Sequence, residues 1–360
     1  MSVVTRIMGD SRSEQSVVGG IIAVGLLLLV GVAVGVVKLP FLLSLLALGG
    51  MYVLLTLGLN VHWGYAGLLN FSVAAFWGIG AYSAALLTSP SSPLNLTLHP
   101  ITGFVAAIVL SALVAVLIGI PTLRLREDYL AIASLGLAEV IRLLILNERE
   151  ITAGSQGITG IPSLLEPLPL TQNATNVAIV AVLIAVVYLF LRRVHRSPWG
   201  RVVRTIRSDE DLAEALGKNT FAFKMQAFVI GSVIMAVAGA FYVHMNLFIG
   251  PGDLVPLTTF YIWVAVILGG TGSNRGAVIG ALTVIAIREG TRFLNDFGVF
   301  GGIDVAPLRL LFVGVLIILV IRFREDGLLP PKDELIWPSA RTKAGATAAA
   351  DGGTNGGEDG

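Results

Sequence analysis

Apolar segments of about 20 residues recur along this chain, separated by short polar or glycine-rich joints. Residues 39–123 run for 85 positions without one Asp, Glu, Lys or Arg. A water-soluble core needs no such run, whereas bilayer crossings of about 20 residues each would use it. Spans are predicted at 17–37, 40–60, 65–87, 101–121 and 128–147. Five more are predicted at 176–191, 222–248, 257–270, 277–293 and 305–321. The expected fold class is thus all-α, a polytopic integral membrane protein of about 10 transmembrane helices, some short or broken. The eighth segment is short enough for a half helix, so a count of about eight or nine stays open. The first is longer than the apolar stretch of a signal peptide and lacks a small-x-small cleavage site, so it reads as an uncleaved span.

Composition supports the membrane class. The chain is 55% hydrophobic and 13% charged, with a mean hydropathy of +0.84; soluble chains are about a quarter charged. The absence of Cys excludes disulfides and thiolate metal sites. A net charge of +1 gives no sign of nucleic acid. The placement of the basic residues reports orientation instead. With the N-terminus inside, the inner loops hold Arg124, Arg126, the 192–224 segment, Arg275, Arg322 and Arg324. The other side holds Lys38, Arg149 and a few residues near Arg292. That bias predicts both termini in the cytoplasm. The expected organisation is a cytoplasmic segment 1–16, a membrane domain 17–323 with a cytoplasmic loop 192–224, and a mostly disordered cytoplasmic tail 324–360. Asn95 and Asn173 head glycosylation triplets in loops assigned outside.

The 192–224 loop is the strongest departure from apolar sequence, with eight of the 24 Lys and Arg. Arg192, Arg193, Arg196, Arg201, Arg204 and Arg207 read mostly as headgroup anchors that fix orientation. A short helix is predicted after them. Ser208 is the expected N-cap, and Asp209, Glu210 and Asp211 fill the first turn, where the helix dipole favours acids. Leu212, Ala215 and Leu216 share a face, Ala213 and Glu214 complete the turns, and Gly217 is the stop. Two turns are unstable alone in water. The element therefore rests either on its own protein's ends or on a partner, and the pattern does not choose.

Glycines cluster in two apolar stretches, at Gly64, Gly67, Gly78 and Gly80, and at Gly269, Gly270, Gly272 and Gly276. Small residues permit close helix packing, and breaks in apolar helices free backbone groups that can line a solute path. Gly64, Tyr65, Gly67, Asn70, Val73, Gly269, Gly270 and Gly272 are the candidate path residues, together with Glu139 and Arg142. Glu139 and Arg142 read as the only opposite charges well inside a span; three residues apart, they face the same way and can neutralise each other. The second glycine run is no nucleotide loop, because Arg275 stands at the third glycine's place. No HExxH, Gly-x-Ser-x-Gly or acid-histidine cluster occurs in the spans, so neither catalysis nor a metal or cofactor is expected.

Five blocks then resemble one family. Residues 197–217, SPWGRVVRTIRSDEDLAEALG, resemble the cytoplasmic loop of ABC-transporter permeases of the branched-chain amino acid type. Residues 58–87, 123–162, 266–280 and 308–330 resemble the family's other blocks, in the family's order. The likeness is greatest to the LivM-type half of the permease pair. It implies a permease subunit without its own ATPase, with residues 208–217 as the helix that couples ATPase closure to alternating access. It further implies a homologous permease partner, two cytoplasmic ABC ATPases, an extracytoplasmic substrate-binding protein and a lipid bilayer. After Gly-Tyr-Ala-Gly the family usually has Ser, then Gly and His or Gln; here Asn70-Phe71-Ser72-Val73 stands instead. That departure keeps urea or a short amide open as an alternative to a branched-chain amino acid. An ion-coupled secondary transporter is the alternative of another class, with Glu139 and Glu289 the near candidates for ion binding.

Overall fold

A computed structural model describes residues 37–125, 127–165, 171–296 and 327–330, with a few isolated positions elsewhere. The first and tenth predicted spans fall almost wholly outside these residues, as do segment 1–16 and the tail beyond 330. Among the described residues there is no strand, only one isolated antiparallel bridge between Ile158 and Ile249. The principal elements are α1 (Leu39–Leu59), running directly into a π-helical turn (Asn60–Tyr65), α2 (Val73–Thr88), α3 (Pro100–Thr122), α4 (Glu127–Asn147) and α5 (Gln172–Arg196). Two short helices follow, α6 (Pro198–Ser208) and α7 (Glu210–Ala215), then α8 (Thr220–Asn246), α9 (Pro256–Gly269) and α10 (Asn274–Asp296).

Among the described residues, six helical stretches are long and apolar enough to cross a membrane, and α2 is apolar but shorter. The expected all-α polytopic class holds. Seven predicted spans coincide with helices to within a few residues at each end. The exception is the predicted span 65–87, which starts late. The chain stays helical to Tyr65, turns at Gly67 with φ +71°, and resumes as a helix only at Val73. A left-handed backbone that glycine adopts freely interrupts what composition alone reads as continuous.

Packing follows residue size, in the manner of a membrane protein. The buried residues of α3 are Gly103, Ala107, Ser111, Ala115 and Gly119, one every fourth position. Most of its valines, leucines and isoleucines point outward; Leu117 is 72% exposed. A helix in water would bury those large groups, whereas lipid tails take them without penalty and leave close approach to the small ones. The second half of α1, from Gly49 to Leu59, is buried on all sides. α8 runs through the centre against α1, α2 and α3. At the α2–α8 crossing a Cβ on Gly239 would stand 2.7 Å from the Ala81 nitrogen. At the α1–α5 crossing a Cβ on Gly50 would stand 2.6 Å from a Val180 methyl.

Gly239→Leu is therefore expected to destabilise the detergent-solubilised protein by about 1–3 kcal/mol or more through overpacking, read as a lower thermal midpoint. Gly136→Ala, on an exposed stretch of α4 with nothing near its Cβ, is expected to be neutral or stabilising by up to about 1 kcal/mol.

Candidate functional site

The basic loop folds into two helices set at one end of the bundle, called here the basic end. Ser197 caps α6, its hydroxyl accepting from the Gly200 nitrogen at 3.4 Å, and Pro198 fits the first turn. Gly200, Val203 and Ile206 face inward. Ser208 closes α6, and its hydroxyl donates back to the Thr205 carbonyl at 2.9 Å. The expected cap at Ser208 is thus corrected by one position. Asp209 is the extended residue between the helices, and its carboxylate accepts from the Leu212 nitrogen at 2.9 Å. An ionised acceptor at a helix start makes the stronger cap, and Glu210 and Asp211 add to it in the first turn.

α7 stops as expected at Gly217, where φ is +73°. The Gly217 nitrogen donates to Glu214 O at 2.8 Å, and the Lys218 nitrogen donates to Ala213 O at 3.1 Å. These two bonds make a Schellman ending. Side chains tie α7 to the start of α8. Thr220 donates to the Glu214 carboxylate at 2.8 Å, and Lys224 pairs with Glu210. Ala213 is buried against the protein, while Leu212 and Leu216 are 50% and 65% exposed, with Ala215 exposed beside them. The apolar face expected from the sequence exists, and it points away from its own protein.

Arg204 and Arg207 are tied to their own protein, unlike the headgroup anchors expected from sequence, although Arg207 keeps an exposed surface. Arg204 donates to the His195 carbonyl at 2.9 Å. Arg207 reaches both glycine-rich stretches. Its guanidinium donates to Gly64 O and, at 3.3 Å, to the Thr271 hydroxyl. Burial presses the Arg207 pKa below its ordinary value, but a guanidinium stays charged in proteins. Beside it lies a cavity of about 170 Å³ walled in part by Gly67, Leu123, Asp209 and Lys224.

The two glycine-rich stretches meet at Gly64 and Gly272, whereas Gly78 and Gly80 pack against Leu254 and Ala236. A Cβ on Gly64 would stand 2.6 Å from the Gly272 nitrogen. That nitrogen donates to Asn60 Oδ1 at 2.8 Å. Asn274 Oδ1 accepts from Asn60 Nδ2 at 3.2 Å and from the Tyr65 hydroxyl at 2.6 Å. Gly270 and Gly272 hold φ of +108° and +87°, so the joint between α9 and α10 needs glycine. Gly269 backs onto α10, where a Cβ would stand 3.1 Å from the Ala277 nitrogen.

Asn70 and Val73 are both fully buried. Asn70 donates to His62 Nδ1 at 2.8 Å, and His62 Nε2 donates to Phe228 O at 2.8 Å. Both ring nitrogens are thereby engaged, with the proton on Nε2. Asn70 Oδ1 accepts from the Ser72 nitrogen at 2.9 Å, and Asn70 O accepts from Trp263 Nε1 at 3.1 Å. Together they tie the non-helical 67–72 segment to α8 and α9. The Glu139–Arg142 pair forms as expected, with Arg142 donating twice, at 2.9 and 2.5 Å. It lies half-exposed on α4, away from the glycine joint.

Sequence reasoning missed several residues, among them Asn60 and Asn274 of the glycine joint, His62, Arg207 and Arg288. His62 sat unremarked in an apolar run. Arg207 was grouped with the surface arginines. The reading of Glu139 and Arg142 as the only opposite charges inside a span is corrected, because α10 carries Arg288 and Glu289, 3.6 Å apart. Their presence in the predicted span 277–293 was the available signal.

Comparison with known proteins decides the class. Residues 41–321 match the family described as branched-chain amino acid transport system, permease component. The chain belongs to that family. It is 32% identical to the high-affinity branched-chain amino acid transport system permease protein LivM of Escherichia coli K12, over 89% of this chain and 77% of that one. It is 29% identical to the probable branched-chain amino acid transport permease protein LivM of Methanocaldococcus jannaschii, over 82% of this chain and 94% of that one. With LivH of E. coli K12 it shares 28% identity over 67% of this chain and 82% of that one. No solved structure matches. The resemblance to LivM-type permeases drawn from the sequence is borne out, and the protein is a multi-pass membrane permease subunit.

Removing the polar clamp between the clusters should be costly. Asn60→Ala leaves the Gly272 nitrogen without its acceptor, and a lower thermal midpoint, equivalent to about 1–3 kcal/mol, is expected in detergent.

Proposed function

We propose that the protein is one permease half of an ATP-driven importer, carrying branched-chain amino acids. It works with a homologous permease, two cytoplasmic ABC ATPases and an extracytoplasmic binding protein, and it hydrolyses no ATP itself. The family membership and the names of its relatives support this reading. The basic end faces the cytoplasm, as the distribution of Lys and Arg favours, and both termini lie there.

One observation carries the mechanism. α7 is capped at both ends and tied to α8, yet it presents Leu212 and Leu216 to the outside. Such a helix seats in a groove of the ATPase, with residues 208–217 making the contact. ATP-driven closure moves α7, and α6 moves with it. Arg207 at the end of α6 carries the displacement to Gly64 and Thr271, where the two broken segments meet. Alternating access needs a bias between outward and inward states. Turning a 1:99 population into 99:1 takes about 5.5 kcal/mol of differential binding. A rigid, capped helix can transmit such a bias, and a loose loop cannot.

Leu212→Asp and Gly217→Pro are expected to abolish ATP-dependent leucine uptake by the reconstituted assembly and to lose co-purification of the ATPase, with membrane insertion unchanged. Normal uptake in both variants would refute the coupling role. Uptake of urea in place of leucine would leave the mechanism standing and reassign the cargo.

A further inference from the structure

The arginines that end α5 have no part in the mechanism above. Between Pro167 and Ser208 the chain holds six Arg and neither Asp nor Glu. Arg204 and Arg207 are tied to their own protein. Arg192, Arg193 and Arg196 instead line an open groove of about 450 Å³, with Leu189, Ser197 and Pro198 as its other walls. All three arginines are exposed. Among the described residues, none of their guanidinium groups makes an ion pair, a hydrogen bond or a ring contact. Three like charges in one turn repel each other, and no acid of the groove offsets them. The groove is a concave positive surface that lacks its counter-charge.

Its depth in the membrane follows from the length of α5, which is apolar and long enough to cross. Arg192 lies twenty residues after Gln172, the start of the helix, about 30 Å along it. That is the thickness of the hydrocarbon core, so the three arginines stand at headgroup level. Below them the same side of α5 is apolar. Val182, Val186 and Leu189 are all exposed, and their spacing of four and three residues continues to Arg193 and Arg196. One face of one helix is therefore complementary to an anion at its end and to a hydrocarbon chain beneath. Inorganic phosphate or an acidic peptide would match only the first part.

We propose that this groove seats an anionic phospholipid, its phosphate held by Arg192, Arg193 and Arg196 and an acyl chain laid along Leu189, Val186 and Val182. A guanidinium presents paired N–H donors that fit phosphate oxygens. The apolar stripe keeps the chain in hydrocarbon while the headgroup is held, so neither end of the lipid leaves its preferred medium. Ser197 and Pro198 form the corner where α5 passes into α6. A lipid in the groove therefore also braces the corner from which α6 and α7 project. The site depends on α5 crossing the bilayer and not on the cargo or the ATPases.

The test places the protein, purified with its associated subunits, in phosphatidylcholine nanodiscs doped with phosphatidylglycerol that carries a diazirine on its acyl chain. After irradiation, labelled peptides are mapped by mass spectrometry. Label is expected on residues 182–189, suppressed by excess plain phosphatidylglycerol but not by inorganic phosphate. A phosphatidylcholine probe with the same diazirine is expected to label this stretch far less. Arg196→Gln is expected to lower the phosphatidylglycerol label about fivefold, and replacing all three arginines by Gln to bring it to the phosphatidylcholine level. Arg201→Gln removes an exposed arginine outside the groove and is expected to change nothing, which separates a seat from diffuse attraction by the whole basic end. Equal labelling by the two probes, full labelling in Arg196→Gln, or an equal loss in Arg201→Gln would overturn the proposal. Suppression by inorganic phosphate would reduce the groove to a plain anion site, and an unlabelled stretch would show this face covered by another subunit; either result also overturns it. The label is read on this chain's own peptides, so its outcome is independent of leucine uptake.

Discussion

A backbone amide or carbonyl released from a helix inside a bilayer finds no water, and everything distinctive in this structure follows from how the released groups are satisfied. The chain breaks after Tyr65 and again at Gly270, and side chains cover both breaks. Asn60 takes the Gly272 amide, Arg207 takes the Gly64 carbonyl, and Trp263 takes the Asn70 carbonyl. Without those partners the interruptions would be untenable, and the helices would have to run straight. With them, two irregular segments distant in sequence become one polar joint at the basic end of an apolar bundle.

The rest of the bundle is arranged so that this joint can exist. Small residues line the crossings, as on α3 with its four-residue spacing of Gly, Ala and Ser. Close backbones leave little void, and van der Waals contact takes over where the hydrophobic effect gives no preference between protein and lipid. α8 and the inner half of α1 form the dense centre, and the outer helices present leucine and valine to the surroundings.

Much of this was legible beforehand, and what was not has identifiable causes. Span positions emerged from run length because apolar length is dictated by bilayer thickness. The ends of α7 emerged from capping chemistry, with an error of one residue: Ser208 and Asp209 are both good caps, and the choice depends on where α6 stops. The glycine clusters were recognised one at a time, but their meeting is a contact between residues about 200 positions apart, which local pattern does not encode. Span 65–87 looked continuous because hydropathy is blind to the sign of φ at Gly67. Arg207 was indistinguishable from its neighbours because its long-range contacts with Gly64 and Thr271 separate it from them, not composition. Arg288 and Glu289 could have been read from the chain as a second charged pair inside a span; Glu139 and Arg142 drew attention through spacing, while Arg288 also meets tyrosines from other helices.

Arg207 grips two interruptions with one guanidinium, since Gly64 and Thr271 are held by the same planar group. Both contacts belong to one side chain at the end of α6, so a shift of that single residue is felt at two places about 200 positions apart in the chain.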